Sequence, residues 1–327
     1  MILVRNLTKT YRVPVRESGL GASIKSMIKR AYSEVEAVRT INFSIEAGEM
    51  VGFIGPNGAG KTTTMKMLSG ILYPTSGDIN VLGYIPMERH PAFLRRISMV
   101  LGNKSQMLWD IPPLDTFRIL GEIYGLSAAN YRQTLDELVG LLGMEDLLKK
   151  PVRNLSLGEK MKCELAAGLL HRPAVLFLDE PTLGLDISIQ RRMRDFLKEY
   201  NRRYGVTVLL TSHYIADVMA LCPRVILIHC GKLIYDGELQ GLAQTLAPFK
   251  LLRLTLNQEN ASVGHFDLPY SAEIVERENS HLTLRVAREA APAAVSYLLT
   301  SFTVSDLTIE DPPIEAVIDR IYQEGSV

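Results

Sequence analysis

Short, continuous apolar runs alternate along the chain with longer stretches in which apolar side chains recur every three or four positions. "MVGFIG" (50–55), "AVLFLD" (174–179) and "GVTVLLTS" (205–212) have the pattern of parallel strands buried on both faces. "LDTFRILGEIYG" and "NYRQTLDELVGLLG" carry helical spacing within a Leu-rich section from about Pro112 to Leu170. Strands joined by crossover helices predict an α/β fold, with a helical subdomain inserted over about 86–170. From about Ala247 the character changes. Strand-like "FKLLRLTLNQ", "AEIVERENSHLTLRVA" and "VSDLTIEDP" alternate there with short helical patterns, "APAAVSYLLT" and "IEAVIDRIYQ". The expected organisation is a large domain over 1–246 and a small α+β domain over 247–327. Near the front, residues 13–36 interrupt two strand signals. Ile24, Met27, Ile28, Ala31 and Tyr32 follow helical spacing there among Lys25, Lys29 and Arg30, which predicts a basic amphipathic helix.

Composition narrows the partners. Lys plus Arg (36) equals Asp plus Glu (36) over 327 residues, so no global field draws the chain onto nucleic acid or an acidic membrane. The longest uncharged stretch, Ala290 to Ser305, has 16 residues and contains Pro292, short of the ~20 apolar residues of a spanning helix. The N-terminal "MILVRNLTKTY" lacks the apolar segment of a signal peptide. Cys163, Cys222 and Cys230 have no CxxC spacing; they are expected to be core thiols in a reducing compartment.

The chemistry begins at "GPNGAGKT", which matches G-x-x-x-x-G-K-[ST], follows an apolar strand and opens a helix. Gly55, Gly58 and Gly60 let the backbone curl so that N–H groups of Gly55, Pro56, Asn57, Gly58, Ala59, Gly60 and the following Lys61, Thr62 and Thr63 segment face phosphate oxygens wherever the residue carries one. Lys61 reaches the β- and γ-phosphates, and the Thr62 hydroxyl is placed for Mg²⁺. "VLFLDEP" sets Asp179 and Glu180 at the end of a buried strand, where one carboxylate holds Mg²⁺ and the other faces the attacking water. A second helix start of anion-binding type, "LSLGE" with Ser156 and Gly158, lies far downstream of the first.

Together these motifs resemble the ATP-binding subunit of an ABC transporter over about Met1 to Leu246. The resemblance implies a P-loop NTPase (ABC ATPase) fold with a mixed sheet core, ATP and Mg²⁺ as ligands, and ATP hydrolysis coupled to transport. In its terms "LSLGE" is the signature motif, contributing Ser156, Gly158 and Glu159, and "LGLD" is the D-loop, ending at Asp186. Gln106 resembles the Q-loop glutamine that contacts Mg²⁺, His213 the switch histidine, and Tyr11 the aromatic residue that stacks on adenine. Glu180 resembles the general base. Two departures stand out, Leu157 where glycine is commonest and Glu159 where glutamine is frequent.

The resemblance also answers why there are two phosphate-type helix starts. In that family two subunits pack head to tail, and the signature loop of one closes over the γ-phosphate held by the other. It implies a second copy of the chain and separate membrane permeases as partners, no nucleic acid, and a place on the cytoplasmic face of the inner membrane. "YPTSGDINVLGY", "GLDISIQ" and "DLTIEDPPIEAVIDRIY" are similar to ABC-2 type exporters, and "YRVP" with "KSQMLWD" to the branch grouped with viologen exporters. A soluble ABC-type ATPase acting on nucleic acid or ribosomes is the competing class; its usual long coiled coil or paired nucleotide units are not in this sequence. A purely regulatory subunit predicts damaged catalytic residues, whereas Lys61, Asp179, Glu180 and His213 are all retained. The C-terminal domain has no motif that chooses between regulation, capping and dimer support; strands with apolar alternation need a face to bury against, which favours dimer support.

Overall fold

The computed structural model describes residues 1–14, 32–102, 104–212, 214–247, 249–256 and 272–324. Two compact units emerge, Met1–Gly237 and Glu238–Val327. The basic helix expected within 13–36 falls mainly outside the described residues, and its flanks at 13–14 and 32–36 are extended strand.

In the first unit, β1 (Ile2–Pro14), β2 (Tyr32–Ile45), β3 (Met50–Ile54), α1 (Lys61–Leu68) and β4 (Ser76–Val81) come first. The short α2 (Pro91–Leu94) and β5 (Ile97–Leu101) follow, then α3 (Pro113–Tyr124), α4 (Ala128–Leu142) and α5 (Leu157–Leu169). The unit continues with β6 (Val175–Asp179), α6 (Ile187–Tyr204), β7 (Thr207–Thr211), α7 (Ile215–Leu221), β8 (Arg224–His229) and β9 (Lys232–Glu238). The strands form two sheets: an antiparallel one in the order β2-β1-β4, and a larger one in the order β5-β6-β7-β3-β8-β9. From β5 to β8 every pairing in the larger sheet is parallel. Only two residues, Cys230 and Gly231, separate β8 from β9, so that pair must run antiparallel and the sheet is mixed.

Two corrections to the sequence reading follow from this topology. "ISMVL" (97–101) belongs to the main sheet rather than to the helical insertion, which occupies only the stretch between β5 and β6. A five-residue apolar run carries too little periodicity to separate strand from buried helix. Cys163 and Cys222 are buried as expected, but Cys230 is exposed. It sits in the β8–β9 turn with φ 47, beside Gly231 at φ 79, and such two-residue hairpin turns require positive φ at both positions.

One apolar cluster joins both sheets to α1. Ile2, Val4, Ile41 and Phe43 of the antiparallel sheet meet Phe53, Phe177 and Ile226 of the parallel one, with Met65 and Leu68 of α1 buried among them. Phe43 and Phe53 rings stand 5.9 Å apart. At roughly 1.5–3 kcal/mol for each fully buried large side chain, this packing fixes the start of α1, and with it the glycine loop. The inserted helices are bounded by local signals: Pro113 opens α3 and Gly125 closes it in the left-handed conformation, and the Ser127 hydroxyl caps α4 through Asn130 N–H.

The second unit contains α8 (Leu239–Leu246), β10 (Phe249–Leu256), β11 (Glu273–Glu278), β12 (His281–Ala287), α9 (Ala291–Ser301), β13 (Val304–Glu310) and α10 (Ile314–Glu324). Its four strands pair antiparallel in the order β11-β12-β10-β13. Leu252, Leu254, Leu282, Leu284 and Val286 line one face and bury Ala294 and Leu298 of α9. This is the two-residue alternation of "KLLRLTL" and "HLTLRVA" turned into a half-covered sheet.

Candidate functional site

The loop from Gly55 to Gly60 links β3, an interior strand of the larger sheet, to α1, whose first turn carries Lys61 to Thr63. Close approach decides two of its glycines: a Cβ on Gly55 stands 2.2 Å from Ile228 O, and one on Gly60, at φ +109, stands 2.4 Å from Ala37 O. Gly60 is the N-cap of α1 and offers no side chain, so the first turn keeps its N–H groups for an anion. Lys61 is 5% exposed. Its ammonium donates to Gly55 O at 2.6 Å and Pro56 O at 3.1 Å, closing the loop on itself. Burial pulls the Lys61 pKa below its usual value, against the opposing pull of Glu180 and Asp179.

Asp179 ends β6 and is buried. The Thr62 hydroxyl donates to its two oxygens at 3.1 and 2.8 Å, and the Thr211 hydroxyl donates to Oδ1 at 2.7 Å. Glu180 follows in the left-handed region at φ 56, a conformation unfavourable for glutamate. It is held there by its N–H, which donates to Thr211 O and Thr211 Oγ1, both at 3.1 Å. Gly102 lies against this turn, donating its N–H to Asp179 O at 2.8 Å, and a Cβ on it stands 2.3 Å from Glu180 O. The adjoining cavity of about 120 Å³ is lined by Thr62, Lys66, Leu101, Lys104, Asp179, Glu180 and Leu183. Gln106 is not in that lining. Its side-chain amide donates to Met99 O at 3.2 Å, and its backbone N–H donates to both oxygens of Glu164, at 3.1 and 3.0 Å.

Ser156 and Gly158 are also outside the lining of that cavity. Ser156 caps α5 in a reciprocal arrangement: its hydroxyl accepts from Glu159 N–H at 3.3 Å, and the Glu159 carboxylate accepts from Ser156 N–H at 2.8 Å. These bonds hold the Glu159 carboxyl below the ordinary glutamate range. Glu159 is thus part of the cap of α5. The loop rests on 184–189: a Cβ on Gly158 meets Ile189 Cδ1 at 2.3 Å, and one on Gly184 meets Leu157 Cδ2 at 3.2 Å. Asp186 caps α6, accepting from Ile189 N–H at 2.9 Å and Ser188 Oγ at 2.7 Å. Tyr11 stands opposite Val35 on the β1–β2 ladder, with the Lys9 ammonium 5.2 Å from its ring centroid. His213 lies outside the described residues.

A family model described as "ABC transporter" matches residues 38–183, and one described as "EvrA-like ABC transporter, C-terminal domain" matches 248–310. The ABC transporter ATP-binding protein NatA of Bacillus subtilis (strain 168) is 35% identical over 211 residues, 64% of this chain and 85% of that protein. The chain belongs to the ABC transporter ATP-binding family. The bacitracin transport ATP-binding protein BcrA of Bacillus licheniformis is 31% identical over 245 residues, 74% of this chain and 78% of its own length. A solved dimeric structure of a post-hydrolysis state of the ATP-binding cassette MJ0796, bound to ADP and Pi, shares the fold with a TM-score of 0.61 at 22% identity, covering 73% of this chain and 98% of that one.

As an ABC ATPase the chain carries its nucleotide chemistry on the mixed-sheet P-loop fold that its motifs imply. Four residues that shape the site were not singled out from the sequence. Thr211 orients Asp179 and Glu180, Gly102 admits their turn, and Lys104 lines the cavity. Asp217, 1% exposed, accepts from Thr182 Oγ1, from Ser212 Oγ at 3.0 Å and from Arg194 Nη1 at 2.8 Å, tying the ends of β6 and β7 to α6. Each acts across more than twenty residues of chain. Among the described residues no helix is long and apolar enough to cross a membrane.

Proposed function

We propose that two copies of this chain clasp two ATP molecules head to tail and that hydrolysis drives the membrane permease of an ABC-2 type exporter. One observation carries the reading: Leu157 and Gly158 back onto Gly184 and Ile189 of their own chain, and Ser156 and Gly158 stay out of the lining of the cavity beside their own glycine loop. They are presented for use elsewhere, which in a head-to-tail pair is the partner's γ-phosphate. Exposed Leu108 and Trp109 lead into α3, where Ile119 and Ile123, one turn apart, are also exposed, and this apolar surface suits a permease. The chain then works at the cytoplasmic face of the inner membrane, in the viologen-exporter-like branch, with residues 247–327 supporting the dimer.

Thr62, Asp179 and Gln106 supply hard oxygen donors suited to Mg²⁺, and the Thr62 hydroxyl and Asp179 carboxylate already stand in contact. Bound there, the ion would offset charge on the phosphate oxygens. Tyr11 stacks on adenine, and the loop from Gly55 to Thr63 surrounds the phosphates, with Lys61 exchanging its carbonyl partners for phosphate oxygens. Glu180 takes the proton of the attacking water, with His213 and Gln106 orienting the γ-phosphate. Ser156 and Gly158 contact the partner's ATP, and Asp186 acts there by fixing the start of α6.

The test is Glu180→Gln. Its ATPase rate is expected to fall by at least ~100-fold, the usual contribution of a general base. ATP binding survives, and the variant shifts from monomer to dimer on adding Mg-ATP, measured by light scattering after size exclusion. Hydrolysis at the parent rate removes Glu180 as base, and a variant that stays monomeric with ATP removes the sandwich.

A further inference from the structure

Glu164 is a carboxylate in the middle of α5 and only 4% exposed. A charge that deep needs compensation. No lysine or arginine among the described ion pairs supplies it. A single loop does: Ser105 Oγ donates to Oε1, Gln106 N–H to both oxygens at 3.1 and 3.0 Å, and Met107 N–H to Oε1 at 3.3 Å. Ser105 Oγ also accepts from Met107 N–H at 3.0 Å, so the loop is curled around the carboxylate. Hydrogen bonds donated to a carboxylate are among the strong ones.

The Gln106 loop is thereby attached to two bodies. Its backbone is fixed to α5 through Glu164, while its side-chain amide reaches Met99 O on β5 of the main sheet. Ser156 caps the same helix eight residues before Glu164 (164 − 156), about 12 Å along the axis. Cys163, Leu165 and Ala166 beside Glu164 are buried, so α5 has little freedom to bend locally. Pulling the loop away from α5 strands a buried charge; moving the two together does not.

We propose that Glu164 is a positioning residue that makes the Gln106 loop and the Ser156 end of α5 move as one piece. ATP in a chain's own pocket, felt by Gln106, then sets where that chain's Ser156 stands for the partner's ATP. The proposal rests on the two-chain reading above and adds a specific consequence to it: occupancy of one pocket is communicated to the other through this carboxylate, which touches neither nucleotide.

Two variants of the full chain test it. Glu164→Met keeps length and removes every acceptor, while Glu164→Gln keeps one carbonyl oxygen for the backbone N–H groups. ATP affinity of the dilute, monomeric chain is measured by displacement of a fluorescent ATP analogue, and cooperativity by ATPase rate against ATP concentration. Trp109, the sole tryptophan, supplies a third readout, because its ring lies 4.4 Å from Lys160 in the first turn of α5, two residues beyond Met107.

For Glu164→Met the expected result is monomer ATP affinity within about twofold of the parent, because Glu164 touches no nucleotide and Gln106 keeps its own bond to Met99 O. The Hill coefficient falls from above ~1.5 toward ~1, and kcat falls about tenfold, within the range of ordinary coupling. The ATP-induced change in Trp109 emission is lost, and Glu164→Gln falls between the two. A variant with parental Hill coefficient and Trp109 response overturns the proposal, and so does a rate loss without loss of cooperativity, the mark of a merely structural role. If Glu164→Met does not fold, the same criteria apply to Glu164→Gln. A parent chain that is non-cooperative and stays monomeric with ATP overturns the two-chain reading itself; a cooperative parent with cooperative variants overturns only the role of Glu164.

Discussion

Thr211→Val isolates the one hydroxyl that serves both acidic residues of the site. Thr211 is 0% exposed, and valine has nearly its shape, so the exchange replaces a hydroxyl by a methyl group without opening a cavity. Asp179 loses the 2.7 Å bond from Thr211 Oγ1 but keeps both from Thr62, and Glu180 N–H keeps Thr211 O at 3.1 Å. Two bonds to Oγ1 go, the one donated to Asp179 and the one accepted from Glu180 N–H; because that N–H keeps its carbonyl partner, the loss is dominated by the bond to the carboxylate, about 1.5–3 kcal/mol. Thr211→Ser is the control: it retains the hydroxyl and loses one buried methyl, about 1 kcal/mol. In a unit the size of Met1–Gly237, each kcal/mol shifts the melting temperature by roughly 2–4 °C, so valine should cost about 3–12 °C and serine about 2–4 °C. The assay is thermal unfolding without nucleotide, following the transition that Mg-ATP shifts, since two units need not melt together. ATPase rate should fall about tenfold for valine and change little for serine, because only valine frees Asp179 to rotate. A valine variant melting no lower than the serine variant would refute the reasoning, since packing and not the hydroxyl would then be the source of order.

Gly102→Ala places a Cβ 2.3 Å from Glu180 O and 3.1 Å from Glu180 C, both backbone atoms that cannot rotate away. The expected loss is roughly 1–3 kcal/mol of stability and at least ~tenfold in ATPase rate, checked by melting and steady-state hydrolysis; parental activity would mean that the two turns have more room than this spacing allows. The thiols offer an independent check of the fold. Burial pushes Cys163 and Cys222 each up to about 12, so at pH 8 the folded chain should react rapidly with a thiol reagent only at exposed Cys230, and the other two should react only after denaturation. Loss of the fast phase in Cys230→Ser confirms the assignment, and a second fast thiol in the parent contradicts the burial of α5 or of the α7–β8 connection.

What the sequence revealed follows the range of the forces involved. β3, β6 and β7 are continuous apolar runs buried on both faces, a pattern readable within five residues. In the second unit Leu252, Leu254 and Leu256 show their alternation directly. β5 is not legible as a strand because its five residues fit either period, and its strand character depends on pairing with β6, more than seventy residues away in sequence. The site divides the same way. The Gly55–Thr63 loop and the Asp179–Glu180 pair are contiguous and legible, whereas Thr211, Gly102 and Glu164 acquire meaning only when distant turns meet. Glu159 differs: the S-x-x-E spacing that caps α5 is legible in the sequence itself, because the cap joins residues only three apart.

The Lys61 ammonium holding Gly55 O and Pro56 O has a practical consequence for mutagenesis. That side chain works as an internal strut of the turn that receives the phosphates. Deleting it discards a positive charge and dismantles the receptacle in one step. A failure of Lys61→Ala to retain ATP would therefore say little about how strongly the cation attracts triphosphate, and comparison with arginine or glutamine at this position is needed to separate attraction from architecture.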